Sequence, residues 1–185
     1  MRRTTLICAL SLFTSGLVLA TNASAAPGPK EKDKGKETIK VQLKGLEEAP
    51  VVISGASGEL TLTIDDVAGA IAYDLTYADL EGTVTQAHIH IGQKDIVGGI
   101  AIWLCKTANV KPVDAAVDAL TPTCPATNPG NVSGTVTAAN VIGPTGQAVP
   151  VGAFDDVLTA IRKGKAYGNV HSTSAPGGEV RGQLH

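Results

Sequence analysis

The pattern that most restricts this chain is a hydrophobic period of two, repeated in short runs from Thr38 to the C-terminus. Ile39, Val41 and Leu43 alternate with polar residues, as do Leu60, Leu62 and Ile64, and Ile71, Tyr73, Leu75 and Tyr77. Successive side chains on a strand point to opposite faces, so each run reads as a strand with one face on a core. Val84–Ile91, Ile100–Cys105 and Val132–Thr137 read the same way, and Ala166–Ser172 and Glu179–Leu184 read as a closing pair. Turn signals separate them at Ser54-Gly55, Asp66 to Gly69, Glu81-Gly82, Gly92, Gly98-Gly99 and Ser174 to Gly178. Short strands with turns this close imply an all-β antiparallel sandwich or barrel of about eight strands. One short helix is expected where Phe154, Val157, Leu158 and Ile161 fall on one face. Asp155 and Asp156 open it, Arg162 and Lys163 close it, and Gly164 stops it. Residues 106–131, rich in Pro, Asp, Thr and Asn, read as loop.

The first 25 residues have the form of an export signal. Arg2 and Arg3 precede an apolar stretch, Leu6 to Ala20, and Ala23-Ser24-Ala25 offers small residues for cleavage. Cys8 lies inside the apolar stretch, not at its end, which argues against a lipoprotein. That stretch is too short and broken for a comfortable transmembrane helix, and no later segment is long and apolar enough to span. Residues 26–37 mix dense charge with Pro and Gly and read as a solvated linker. The expected destination is periplasmic or extracellular. The formal net charge of −2 becomes about −4 without Arg2 and Arg3, which argues against nucleic acid as a partner. Cys105 and Cys124 would remain after cleavage. In an oxidising compartment such a pair is most simply a disulfide, with a free thiol pair on a metal as the alternative.

All four histidines, His88, His90, His171 and His185, fall after the linker. His88 and His90 are two apart on one strand, so both imidazoles share a face while Ala87, Ile89 and Ile91 point to the core. Two imidazoles on a rigid strand make half of a transition-metal site, suited to copper or zinc. His171, with Glu179 and His185 as lesser candidates, would complete it if the last strands lie alongside. The alternative is a structural role, with the imidazoles hydrogen-bonded across the sheet. Glu179 and Arg181 alternate on the last strand and are candidates for a structural charge pair. Catalytic signatures are missing: there is no Gly-x-Ser-x-Gly, no His-Glu-x-x-His and no phosphate-cradling loop before a helix. The few aromatic residues also disfavour a base-stacking surface.

A series of motifs resembles the CHRD domain, the module described in chordin and found in secreted bacterial proteins. They run in order: Gly45-Leu46-Glu47-Glu48-Ala49-Pro50-Val51, Gly58-Glu59-Leu60, Ala87-His88-Ile89-His90-Ile91-Gly92, Gly164 to Ser172, and Pro176-Gly177-Gly178-Glu179-Val180-Arg181-Gly182-Gln183-Leu184. The resemblance covers residues 38–185. It implies an immunoglobulin-like or Greek-key β-domain serving as an extracellular binding or scaffold module, with an extracellular protein or envelope component as partner. A more distant similarity is to Cu/Zn superoxide dismutase, which also carries His-x-His and a later histidine on a Greek-key barrel. This chain lacks that full ligand set. Three functions follow as expectations: a secreted binding domain with a metal on His88, His90 and His171; a metalloenzyme of dismutase type; or a purely structural envelope protein.

Overall fold

A computed structural model of the chain describes residues 35–185. The expected export signal and most of the expected linker lie outside the described residues. The strands are β1 (Lys36–Lys44), β2 (Ser57–Asp65), β3 (Ala70–Ala78), β4 (Val84–Ile91), β5 (Gly99–Cys105), β6 (Gly130–Val136), β7 (Ala166–Ser172) and β8 (Val180–Leu184). All neighbours pair antiparallel in one sheet of order β5-β4-β7-β8-β1-β2-β3-β6. The two edge strands, β5 and β6, come into contact, so the sheet curls into a nearly closed barrel. Of the two architectures expected, the barrel is the one formed.

The alternating residues build its interior. Leu60, Leu62 and Ile64 of β2 face Leu75, Tyr73 and Ile71 of β3 in register, and all are buried. Tyr73 reaches over Gly134 of β6 and donates its hydroxyl to the Leu104 carbonyl of β5 at 2.6 Å, which gives the buried phenol a partner. The helix α2 (Phe154–Arg162) buries Phe154, Val157, Leu158 and Ile161 as its spacing requires. It sits where β1 begins and β2 turns into β3, since Arg162 binds Glu37 at 2.8 Å and Asp66 at 2.9 Å.

Three details differ from the sequence reading. β1 begins at Lys36, inside the expected linker, because Lys36 and Glu37 pair with Asp65 and Arg162. The segment 106–131 contains a second helix, α1 (Ala115–Leu120), started by the Asp114 carboxylate accepting from the Ala116 and Val117 amides. β6 starts at Gly130, two residues earlier than the apolar pattern suggests. The Cys105 and Cys124 sulfurs lie at disulfide distance, which joins the end of β5 to this segment.

The seam between β8 and β1 is the narrowest junction, with Lys44 and Arg181 its one paired position. Gly182 lies against it, and a Cβ there would meet the Gln42 carbonyl oxygen at 2.4 Å and Val41 Cγ2 at 2.7 Å. The blocking atom is backbone, so no rotamer change relieves it. Gly182→Ala should therefore lose at least about 2 kcal/mol of stability, read from urea denaturation midpoints. A wild-type midpoint would show that the two strands are free to separate.

Candidate metal centre

β1, β2 and β3 show one buried face and one more exposed face, as their sequence pattern requires. β4, β7 and β8 do not. Every residue of β7 is buried, as are Ala87 to His90 in β4 and four of five residues in β8. Their inward positions fill the barrel with Ala87, Ile89, Val170 and Val180. Their outward positions carry His88, His90, Tyr167, Asn169, His171 and Arg181, all buried although polar. Loops over the outside of the sheet keep this face dry, and they are held by the residues they cover.

The register sets the layout. His88 lies opposite Asn169 and His90 opposite Tyr167 across β4 and β7, while Gln86 lies opposite His171. The three histidines are 0%, 6% and 6% exposed in chain order. One ring nitrogen from each lies within 4.8 Å of the other two. Imidazole nitrogens bind zinc or copper at about 2.0–2.1 Å, so the widest separation must close by about 1 Å around an ion.

Hydrogen bonds decide which nitrogens face the cluster. A carbonyl only accepts, so His90 donates Nδ1–H to Gly98 at 2.9 Å and His171 donates Nδ1–H to Pro176 at 2.9 Å. The Nε2 of each therefore holds a lone pair. His90 Nε2 is buried and makes no hydrogen bond of good geometry, with the Asn169 side chain beside the ring. His171 Nε2 lies 3.2 Å from His88 Nδ1. His88 can meet it in two tautomers. If it donates Nδ1–H, its own Nε2 is left bare and buried; that atom has no partner in either case. If it carries Nε2–H instead, two lone pairs face each other, an arrangement that calls for a cation.

Burial also keeps the rings uncharged. It pushes the His88 pKa well below the ordinary value, with His171 and His90 adding to the effect. His90 is pushed down to about 4, again mainly by burial, against the opposing pull of the Gly98 carbonyl and the Asn169 side chain. His171 moves the same way, with Pro176 opposing. Neutral imidazole is the ligating form.

The surroundings form a stack that composition could not disclose. Tyr167 lies parallel to His90, centroids 4.7 Å apart at 3°, and the Arg181 guanidinium sits 3.4 Å from the Tyr167 centroid. Arg181 then donates to the Ile96 and Gln93 carbonyls at 3.0 and 2.9 Å, fastening the loop that supplies the Gly98 carbonyl. Trp103, opposite His88 on β5, meets its ring at 4.3 Å and 90°.

Two of the expected site residues stand apart. Glu179 is buried, but its carboxylate accepts from the Glu81 amide at 2.7 Å and from the Ser172 hydroxyl, outside the histidine group. His185 is exposed and donates to the Gln183 carbonyl at 3.0 Å. Nor do Glu179 and Arg181 form an ion pair among the described residues, because Arg181 is committed to backbone carbonyls and Tyr167. The acid that Arg181 feels is Glu48, on the turn after β1. Gly178, at φ 126°, makes room for it; a Cβ there would meet Glu48 Oε1 at 2.4 Å and Asn169 Nδ2 at 2.9 Å. Tyr167 and Asn169 were legible in principle, since they alternate with His171 on β7. Glu48 was not, because it belongs to no strand period.

The CHRD domain family model matches residues 39–184. The chain belongs to the CHRD domain family. No curated protein and no solved structure matches it. The matched segment spans all eight strands of this CHRD domain except the first three residues of β1 and includes all three clustered histidines.

Burial pushes the Glu48 carboxyl up to about 7, with Arg181, Asn169 and the Ala49 amide pulling it down. A folded-state pKa raised above the unfolded one favours folding at low pH and opposes it once the carboxyl ionises. Glu48→Gln should therefore stabilise the domain above pH 7 by up to about 3 kcal/mol and leave it unchanged below about pH 4.5. Thermal unfolding of both proteins from pH 4 to 8 measures this. A gap that stays constant with pH would show that Glu48 does not titrate in this window.

Proposed function

We propose that this chain is an exported CHRD binding domain that holds one transition-metal ion, copper or zinc, on His88, His90 and His171. The observation that carries the reading is the pair of carbonyl-fixed imidazoles, His90 and His171, each left with an unprotonated Nε2 and grouped with His88 in a buried cluster. A structural histidine has its nitrogens satisfied, whereas here His88 Nε2 has no partner and His90 Nε2 has only the Asn169 side chain beside it, with no hydrogen bond of good geometry. Each orphaned buried polar atom costs about 1–3 kcal/mol, a cost that an ion would remove.

Export is supported by the N-terminal signal pattern and by the bonded cysteines, which suit an oxidising compartment. Among the described residues no helix is long and apolar enough to cross a membrane. The partner in this reading is an extracellular protein or an envelope component. Turnover of a small oxidant at the ion would need an exchangeable coordination position open to solvent. The near-complete burial of all three rings supports retention of an ion over catalysis on it.

The chain has a single tryptophan, and it touches His88. Titrating the purified protein with Cu(II) should quench Trp103 emission at one equivalent, and isothermal titration should give a dissociation constant tighter than about 100 μM. His90→Gln and His171→Gln, checked for folding by circular dichroism, should each weaken binding by at least about 10-fold. Equal affinity in both variants and the wild type would remove the site.

A further inference from the structure

The identity of the ion follows from charge and coordination number, given the three-histidine site proposed above. The donors are imidazoles, which bind metals in their uncharged form. No carboxylate or thiolate joins them among the described residues. The two buried acids, Glu48 and Glu179, are engaged elsewhere. Glu179 accepts from the Glu81 amide and the Ser172 hydroxyl, and Glu48 faces Arg181 and Asn169. The two cysteines that could offer thiolates are bonded to each other.

A cation already occupies the same dry face. Arg181 is 2% exposed, and its guanidinium is separated from His90 only by the Tyr167 ring stacked between them. An ion entering the cluster therefore meets neutral donors and a like charge nearby, which Glu48 offsets only when its carboxyl is ionised. The cost of taking an ion out of water grows with the square of its charge, so a divalent ion costs about four times as much as a monovalent one. Zinc ordinarily offsets this with anionic ligands, or with a water in a fourth position that ionises. This cluster offers three ligands and almost no solvent.

We infer that the site selects cuprous copper, the monovalent d10 ion that accepts two or three imidazoles without a fourth ligand. The enclosing aromatic rings, Trp103 against His88 and Tyr167 against His90, act in the same sense. They exclude the water that Cu(II) and Zn(II) would retain.

The test is a metal competition on the purified protein under anaerobic conditions. Cu(I) is supplied as its bicinchoninate complex, and Cu(II) and Zn(II) are each measured against a chromophoric chelator of known affinity. Cu(I) should bind at least about 10-fold more tightly than either Zn(II) or Cu(II), a difference of about 1.4 kcal/mol. Zn(II) or Cu(II) binding as tightly as Cu(I) would overturn the inference while leaving the three-histidine site in place. Failure of all three ions to bind would overturn both.

Discussion

Two backbone carbonyls, those of Gly98 and Pro176, decide what the outer face of this barrel can do. Each accepts a hydrogen bond from the Nδ1–H of one histidine and so leaves the opposite nitrogen of that ring unprotonated. Without them His90 and His171 would be free to choose tautomers, and the cluster would carry no fixed chemistry. Both carbonyls belong to loops, not strands. The chemistry of rigid strand residues is thus set by segments that must themselves be held in place.

The holding is done from underneath. Arg181 donates to the Gln93 and Ile96 carbonyls, and the Gly98 amide donates to the Tyr167 hydroxyl at 3.2 Å. Gln183 adds a bond to the Gly92 carbonyl at 2.9 Å. One loop is therefore fastened at four residues by side chains from β7 and β8. The other covering loop is fastened through Ser172, whose hydroxyl accepts from the Ser174 and Ala175 amides while donating to Glu179. Glu179 in turn accepts from the Glu81 amide before β4. In this light Glu179 and Arg181 have a common purpose without touching: each anchors one lid of the same face. Both are buried polar side chains, and each has hydrogen-bond partners in place.

The strands were legible in the sequence because their alternation reflects a barrel with one apolar side, and the β2–β3 register keeps that logic at every position. The one-face geometry of His88 and His90 was legible for the same reason. What could not be read was the dryness of that face. A period of two predicts a solvated outer surface, and nothing in the run Ala87 to Ile91 says that loops from residues 92–98 and 173–179 close over it. Glu179 was misjudged for a related reason. It lies one residue before β8, where its carboxylate accepts from the Glu81 amide and the Ser172 hydroxyl. α1 escaped notice because its six residues bury only Val117, too few for a helical period to register.

A dry, partly unsatisfied polar cluster on the outside of a barrel is a poor choice for stability alone. Apolar residues at the same positions would pack under the loops without orphaned nitrogens, and substitutions of that kind are often neutral or stabilising. The fold gives up that stability while investing side chains from β7 and β8 in keeping the loops shut. An ion that binds the folded state and not the unfolded one returns it, by an amount that grows with the logarithm of its concentration over its dissociation constant. The barrel core needs no such return, since its interior is apolar throughout and Tyr73 is satisfied by Leu104. Stability and site are thus divided between the two faces of the same strands. The inward residues of β4 and β7 hold the barrel together, and the outward ones are free to be costly.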